Sequence, residues 1–280
     1  MRLLVSVRSA AEVDAAVSGG AHIIDAKEPD HGSLGPVSAA TFRDIADQVP
    51  AHLGLSAALG DFTEAEEVNA AVMGFPKVSG PAPLYLKLGF AGISNAYLIR
   101  ELLEAACLAA QRRSSRVPAI IAVAYGDCDL TGTASPEQVC QAAAAAGATG
   151  LLVDTQVKGS AHLLDLVDSA RLKALVENAR TTGLLTAVAG GLTAEQLPLV
   201  RRCHPDIVGF RGAVCIGGRS GRVSQRRVAR LRHLLASDSV FVRGSPIVQK
   251  SKVGETPGQP ANLCRANKLT SWESTVRGVL

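Results

Sequence analysis

The chain has 280 residues, of which 47% are hydrophobic and 19% are charged, and its formal net charge is +4. These values fit one large domain with a substantial core and exclude a mainly disordered chain. Its apolar runs fall well short of the roughly 20 residues of a membrane span, and the N-terminal run is too short for a signal peptide. Six cysteines without a C-x-x-C pair favour reduced thiols. We therefore expect a cytoplasmic protein with no membrane partner and no metal.

Eight short apolar runs recur along the chain, each bounded by Gly, Pro or polar residues. They occupy residues 2–7, 22–26, 53–59, 84–89, 119–125, 150–155, 184–190 and 206–212. Their hydrophobicity is continuous rather than alternating, which is typical of parallel strands covered on both faces. Helical patterns lie between them, such as the stripe of Phe42, Ile45 and Val49 in 38–49. The alternation predicts an α/β fold, a (β/α)8 TIM barrel over 1–236, with a doubly wound open sheet as the main alternative.

Local signals indicate where helices begin and where the barrel ends. Three pairs have the spacing of capping boxes or close variants: Ser9 with Glu12, Asp61 with Glu64, and Thr193 with Gln196. Ser135 before Pro136 has the pattern of a cap followed by a first-turn proline. After Ala236 the periodicity stops, and the segment 237–280 contains Gly, Pro and Ser without a pattern. It is predicted to be a partly disordered C-terminal extension.

Charged side chains occur at the C-terminal ends of three predicted strands, where the active site of a (β/α)8 barrel lies. They are Asp25 and Lys27 in the second strand region, Lys87 in the fourth, and Asp154 and Lys158 in the sixth. Taken alone, Lys27 fits an exposed loop lysine, and Lys87 fits an outward-pointing lysine or a buried pair with an acid. Taken together, the five residues predict one cup lined with amines and carboxylates.

Such a cup suits amine catalysis. A lysine attacks a carbonyl only as the neutral amine, and both desolvation and a neighbouring ammonium lower its pKa. A second lysine and the carboxylates can then move protons. We expect Lys27, which shares a strand face with Asp25 at the loop edge, to be the nucleophile. Lys87, deeper in an apolar strand, is expected to keep its neighbour neutral and to accept a proton.

The loops after the seventh and eighth strands predict a phosphate site. In many barrels these loops bind phosphate through backbone N–H groups, together with the N-terminus of a short helix. The glycines in "AVAGGL" and "GFRGAVCIGGRSGR" permit close approach, although glycines are also common in ordinary turns. The expected contacts are backbone groups at Gly190, Gly191, Gly212 and Ala213, with Arg211 or Arg219 adding charge.

An arginine cluster and two polar residues at strand starts lie outside the predicted cup and phosphate site. Arginines cluster in 219–233, and we expect most of them to form the solvated face of a last helix. Nucleic-acid binding is the alternative for this cluster, but aromatic residues are not interleaved there. His22 and Asp206 lie at strand starts, on the face of the barrel that serves stability, so we assign them no role.

Several motifs follow one another along the chain: "GGAHIIDAKEPDHGSLG", "LSAALGD", "YLKLGF", "VAYGD", "LLVDTQVKG", "AVAGGL" and "DIVGFRGAVC". In this order they resemble the (5-formylfuran-3-yl)methyl phosphate synthase family, from residue 1 to about 235. The resemblance implies a (β/α)8 barrel that condenses two glyceraldehyde 3-phosphate molecules in methanofuran biosynthesis, with loss of phosphate and water. It implies that Lys27 forms the Schiff base and that Lys87 accepts a proton. Asp25, Asp154 and Lys158 also match positions of the family.

The sequence is also compatible with two alternatives. One is another class I, Schiff-base aldolase that acts on a different sugar phosphate. The other is a nucleic-acid-binding protein that uses the arginine-rich last helix. The expected partner is a small phosphorylated aldehyde substrate, with no nucleic acid, no membrane and no cofactor. A homo-oligomer is among the assemblies that the sequence allows.

Overall fold

The computed structural model describes residues 1–113, 116–159 and 161–237. Its centre is a closed barrel of eight parallel strands in chain order. The strands are β1 (Arg2–Val7), β2 (Ile23–Ala26), β3 (Gly54–Asp61), β4 (Leu84–Gly89), β5 (Ala119–Tyr125), β6 (Gly150–Asp154), β7 (Leu185–Val188) and β8 (Ile207–Phe210). Because β1 pairs with both β2 and β8, the predicted barrel is confirmed and the open sheet is excluded. The predicted extension lies outside the described residues, apart from Ser237.

Helices connect the strands and pack against the outside of the barrel. They are α1 (Val13–Ser18), α2 (Ala39–Gln48), α3 (Ala65–Gly74), α4 (Ala96–Gln111), α5 (Cys128–Thr131), α6 (Pro136–Ala145), α7 (Leu163–Leu166), α8 (Ser169–Thr181), α9 (Leu197–Cys203) and α10 (Gln225–Ala236). Short 3-10 helices span Ala10–Glu12, Pro29–His31 and Gly212–Val214, and two-residue strands, Cys215–Ile216 and Arg222–Val223, pair after β8. Within the described residues, no helix has both the length and the apolar character needed to cross a bilayer.

The strands are continuously apolar because both of their faces are buried. All residues of β2 and β4 are buried, including the charged ones. Their outward side chains join the helices in one large core. On the inside, small residues such as Ser6, Ser56, Ala187 and Gly209 line a cavity that extends into the barrel. The interior is therefore open to a ligand from its C-terminal end.

The helix start at Ser135 agrees with the sequence. Its side chain accepts a hydrogen bond from the amide of Gln138, whose side chain caps in return, and Pro136 occupies the first turn. The start predicted around Thr193 forms only in part. The amide of Thr193 donates to the Gln196 side chain at 3.1 Å, but Gln196 itself is the cap of α9.

The two other predicted capping boxes are wrong, since their residues make different contacts. Ser9 makes no side-chain cap, and the carboxylate of Glu12 is instead held by Arg211. Asp61 belongs to β3, and α3 begins later with Glu64 as its cap. The carboxylate of Asp61 accepts a hydrogen bond from Tyr125 OH at 2.6 Å.

The N-terminal ends of the strands carry polar contacts that hold the barrel together. His22 Nδ1 accepts a hydrogen bond from the amide of Leu3 at 2.9 Å. Asp206 accepts from the amide of Thr186 at 2.9 Å and from its hydroxyl at 2.8 Å. These contacts agree with the expectation that His22 and Asp206 lie on the face that serves stability.

Helix α10 packs on the barrel through one apolar face. Val228 and Leu231 are buried, whereas Arg226, Arg227 and Arg230 are exposed. This is the amphipathic arrangement of a helix that covers a barrel, with its arginines on the solvated side. The solvated arginine face predicted for the last helix is therefore present in α10.

Candidate active site

A cavity of about 700 Å³ occupies the C-terminal end of the barrel. Asp25, Lys27, Lys87, Asp154 and Lys158 all line it, as the sequence predicts. They meet because the C-terminal ends of β2, β4 and β6 lie at the same end of the closed parallel barrel. The structure thus places three amines and two carboxylates in one cup.

On one side of the cup, Lys87 forms a buried ion pair with Asp25. Lys87 Nζ lies 2.7 Å from Asp25 Oδ1, and the two side chains are 6% and 0% exposed. Ser6 Oγ donates to the other carboxylate oxygen at 2.7 Å. Burial alone would raise the pKa of Asp25, but the charges of Lys87 and then Lys27, together with these hydrogen bonds, lower it below its usual value. The buried pair considered for Lys87 is thus present, inside the cup.

On the other side, Lys158 forms an ion pair with Asp154. Lys158 Nζ lies 2.6 Å from Asp154 Oδ1 and donates to Thr155 Oγ1 at 3.1 Å. The amide of Thr155 also donates to Asp154 at 2.8 Å. Burial would raise the pKa of Asp154, but Lys158 and then Lys27 outweigh it and lower that pKa. Asp154 is therefore a carboxylate that holds Lys158 beside Lys27.

Lys27 lines the same cavity, interacts electrostatically with both pairs and differs from the other two lysines. Lys27 is 7% exposed, and its Nζ has no ion-pair partner among the described residues. Burial lowers the pKa of Lys27 from 10.5 to about 8, since the attraction of Asp154 and Asp25 is opposed by Lys87 and Lys158. A substantial fraction of this amine is neutral near physiological pH. Lys27 is therefore suited to act as a nucleophile.

The loops after β7 and β8 present open backbone amides to the cavity. Gly190 and Gly191 have φ of +101° and +66°, the left-handed region that favours glycine. A Cβ at Gly190 would lie 2.9 Å from Leu163 Cβ, so the loop has no space for a side chain there. The amides of Gly190, Gly191, Gly212 and Ala213 donate to no other described residue. These four N–H groups are available to an anion.

Arg211 does not have the phosphate-binding role expected from the sequence. Its guanidinium makes two hydrogen bonds to the Glu12 carboxylate, at 2.5 and 3.2 Å. It also donates to the carbonyls of Ser6 at 3.1 Å, Arg219 at 2.8 Å and Gly221 at 2.7 Å. These contacts use all five N–H groups of an arginine. Arg211 therefore holds the loop after β8 against β1 and has no donor left for a substrate.

Arg219 lies at the mouth of the cavity, where the loops after β2 and β8 meet. It lines the cavity, and its Nη2 donates to the carbonyl of Gly32. Ser220 Oγ donates to Asp30 at 2.6 Å, and Arg8 forms an ion pair with Asp30 at 2.8 Å. These contacts join the two loops beside the cup. Of the two arginines considered for phosphate, Arg219 retains guanidinium N–H groups that donate to no described residue.

Asp127 supports the cup through the backbone, a role that the sequence did not reveal. Its residue is 3% exposed, and its two carboxylate oxygens accept hydrogen bonds from the amides of Gln156 and Val157, each at 2.8 Å. The next residue is Lys158. Asp127 thus fixes the loop that carries this lysine. In the sequence, Asp127 is visible only as an acid shortly after the end of β5, and the amides that it binds cannot be recognised there.

A second unpredicted contact joins the ends of β3, β4 and β5. Tyr125 OH donates to Asp61 Oδ1 at 2.6 Å, and the amide of Ala91 donates to the same oxygen at 2.9 Å. Burial, followed by the charge of Asp61, raises the pKa of Tyr125, so the phenol stays neutral and remains a donor. A Cβ on Gly89 would collide with both Asp61 and Tyr125. A side chain at position 89 would therefore force Asp61 or Tyr125 to move.

Together, the fold and the site define a class: (β/α)8 barrels whose C-terminal cavity holds a buried amine, two lysine–carboxylate pairs and glycine-containing loops with open backbone amides. In the described part of the chain, no cluster of three or more His, Cys, Asp or Glu is arranged to hold a metal ion.

The family model described as 4-HFC-P synthase matches residues 3–232. A relative from Methanothermobacter thermautotrophicus, (5-formylfuran-3-yl)methyl phosphate synthase, is 34% identical over 240 residues, which are 85% of this chain and 100% of the relative. A relative of the same name from Methanopyrus kandleri is 36% identical over 238 residues, 84% of this chain and 99% of the relative. The chain belongs to the 4-HFC-P synthase family, and the names of these relatives indicate a synthase.

Solved structures show the same fold at lower identity. Phosphoribosyl anthranilate isomerase from Thermus thermophilus has a TM-score of 0.57 and 18% identity, and the match covers 84% of this chain and 98% of that one. A 3-hexulose-6-phosphate synthase has a TM-score of 0.54 and 19% identity, with coverages of 84% and 99%. These similarities support the barrel and nothing finer.

Proposed function

We propose that the protein condenses two molecules of glyceraldehyde 3-phosphate to (5-formylfuran-3-yl)methyl phosphate through a lysine Schiff base. One phosphate and two molecules of water leave, and the product serves the biosynthesis of methanofuran. The observation that carries this proposal is Lys27, a buried amine with a pKa of about 8 between two lysine–carboxylate pairs. Membership of the 4-HFC-P synthase family supports the choice of substrate and product.

The first step assigned to Lys27 is attack of its neutral amine on a substrate carbonyl, followed by loss of water to give the imine. The positive charge of the protonated imine acidifies the adjacent C–H bond. Lys87 is the group assigned to this proton. Because Lys87 Nζ and Asp25 Oδ1 are 2.7 Å apart, the two can act as one acid–base unit that passes a proton along this contact.

The other pair is assigned to the departing phosphate. Lys158, held by Asp154, supplies positive charge on the opposite side of Lys27, which suits a leaving group that departs as an anion. The open amides at Gly190 and Gly191, with those of the β8 loop, are assigned to a substrate phosphate. Arg219 adds charge at the mouth of the cavity.

Another Schiff-base aldolase is the second candidate, since a neutral lysine beside an acid–base unit would serve it equally well. The two candidates differ in their products. An aldolase joins two trioses and retains both phosphates, whereas furan formation releases inorganic phosphate. Family membership favours the furan.

The test is to incubate the purified full-length chain with glyceraldehyde 3-phosphate as the only substrate. We expect one inorganic phosphate per furan phosphate formed, with the product identified by mass spectrometry and by the ultraviolet absorption of a furan aldehyde. Lys27→Arg should abolish turnover, because a guanidinium stays protonated. Lys173→Arg, at a lysine that is 51% exposed on α8, is the matched control and should be fully active. A bisphosphorylated six-carbon sugar without phosphate release would refute the furan synthase and support the aldolase.

A further inference from the structure

The Ser56 hydroxyl is a buried polar group without a partner. The residue is 0% exposed, and its Oγ forms no hydrogen bond with any described residue. The other buried serines have partners: Ser6 donates to Asp25 at 2.7 Å, and Ser33 donates to Tyr125 OH at 3.4 Å. A buried hydroxyl normally finds a partner, since removal from water without one is unfavourable. Ser56 is therefore an exception that requires an explanation.

The position of Ser56 in the barrel points to the cavity. In the strand register, Ser56 of β3 pairs with Asp25 of β2 and with Tyr85 of β4. All three residues line the cavity. Lys87 lies two positions after Tyr85, on the same strand face. Ser56 thus lines the cavity next to the Asp25–Lys87 ion pair.

We propose that Ser56 is a substrate-binding residue whose hydroxyl holds a hydroxyl group of the phosphorylated three-carbon substrate beside the Lys87–Asp25 pair. This inference rests on the proposed function and adds a contact that positions the carbon to be deprotonated. A serine hydroxyl can both donate and accept, so it suits an alcohol that does the same. A site with a buried hydroxyl also discriminates against analogues that lack the matching group, because the protein group then stays unpaired.

Removal of the Ser56 hydroxyl should affect the activity of the protein but not its stability. Ser56→Ala removes no hydrogen bond to any described residue, so the melting temperature should be unchanged or higher. The same variant loses a substrate contact, and kcat/KM for glyceraldehyde 3-phosphate should fall about 3- to 30-fold. Ser56→Thr keeps a hydroxyl and should recover most of this loss.

The matched control is Thr186→Val, at a buried hydroxyl that donates to Asp206 at the opposite end of the barrel. This variant should lower the melting temperature and leave kcat/KM unchanged. For Ser56→Ala, a lower melting temperature with unchanged kcat/KM would overturn the inference, and so would two unchanged values. A wild-type chain that releases no phosphate from glyceraldehyde 3-phosphate would instead refute the proposed function, and this inference with it, before any variant is compared.

Discussion

Lys27 should lose its proton near pH 8, and imine formation should follow that titration. With the pKa lowered from 10.5 to about 8, the neutral fraction of the Lys27 amine at pH 7.5 rises from about 0.001 to the order of 0.1. This is a gain of about two orders of magnitude in reactive amine. The rate at which borohydride-reducible adduct forms with glyceraldehyde 3-phosphate should therefore rise with pH and level off above about 8.

The surrounding charges should move this midpoint in opposite directions. Asp154 attracts the Lys27 ammonium, so Asp154→Asn should lower the pKa of Lys27, whereas Lys87 repels it, so Lys87→Met should raise that pKa. A charge within reach in a buried site shifts a pKa by about 1–3 units, so we expect each midpoint to move by at least about one unit.

The assay is intact-protein mass spectrometry of the reduced adduct, sampled over time between pH 6 and 10. Lys173→Met, at an exposed lysine on α8, is the control and should keep the wild-type midpoint. A wild-type midpoint near 10.5, or a shift in the same direction for Asp154→Asn and Lys87→Met, would refute the proposed electrostatics of the cup.

Three further predictions concern the support of the site. Asp127→Asn should speed hydrogen exchange at the amides after β6 and lower kcat/KM, because one of two carboxylate acceptors is lost; unchanged exchange would contradict its role in holding Lys158. Gly89→Ala should lower the free energy of unfolding, measured with denaturant, by about 1–3 kcal/mol, because the added methyl group overpacks the site. An unchanged free energy of unfolding would contradict the close packing at Tyr125. Arg211→Met should lower the free energy of unfolding of the protein by about 3–5 kcal/mol, because it leaves the buried Glu12 carboxylate without this partner. The double variant with Glu12→Gln should recover part of this loss. A higher KM without destabilisation would instead restore the phosphate role of Arg211.

The barrel could be predicted because strands buried on both faces have a distinctive composition. The predicted limits 2–7, 84–89 and 119–125 agree with β1, β4 and β5. The last two strands are shorter than predicted, at Leu185–Val188 and Ile207–Phe210, because the glycine-containing segments that follow them leave the ladder. The hydrophobic pattern was therefore enough to predict that each strand exists. The residue at which a strand ends depends on the hydrogen bonds to its neighbours, which the pattern does not show.

The cup could be predicted because parallel strands end on the same side of a barrel, so acids and amines at those ends must converge. The role of Arg211 could not, since its partner Glu12 lies 199 residues away and was expected to cap a helix. Asp127 contacts backbone amides, which have no sequence signature. Ser56 has no hydrogen-bond partner among the described residues, and its place in the site follows only from the strand register, which sets it beside Asp25.

The most direct test of the proposed chemistry is to find which lysine carries the imine. Wild-type protein is incubated with glyceraldehyde 3-phosphate and reduced with borohydride, and the modified peptide is then sequenced by mass spectrometry. We expect the reduced adduct on Lys27 alone, because it is the buried amine without an ion-pair partner among the described residues and its pKa is about 8. An adduct on Lys87 or Lys158 would contradict this assignment.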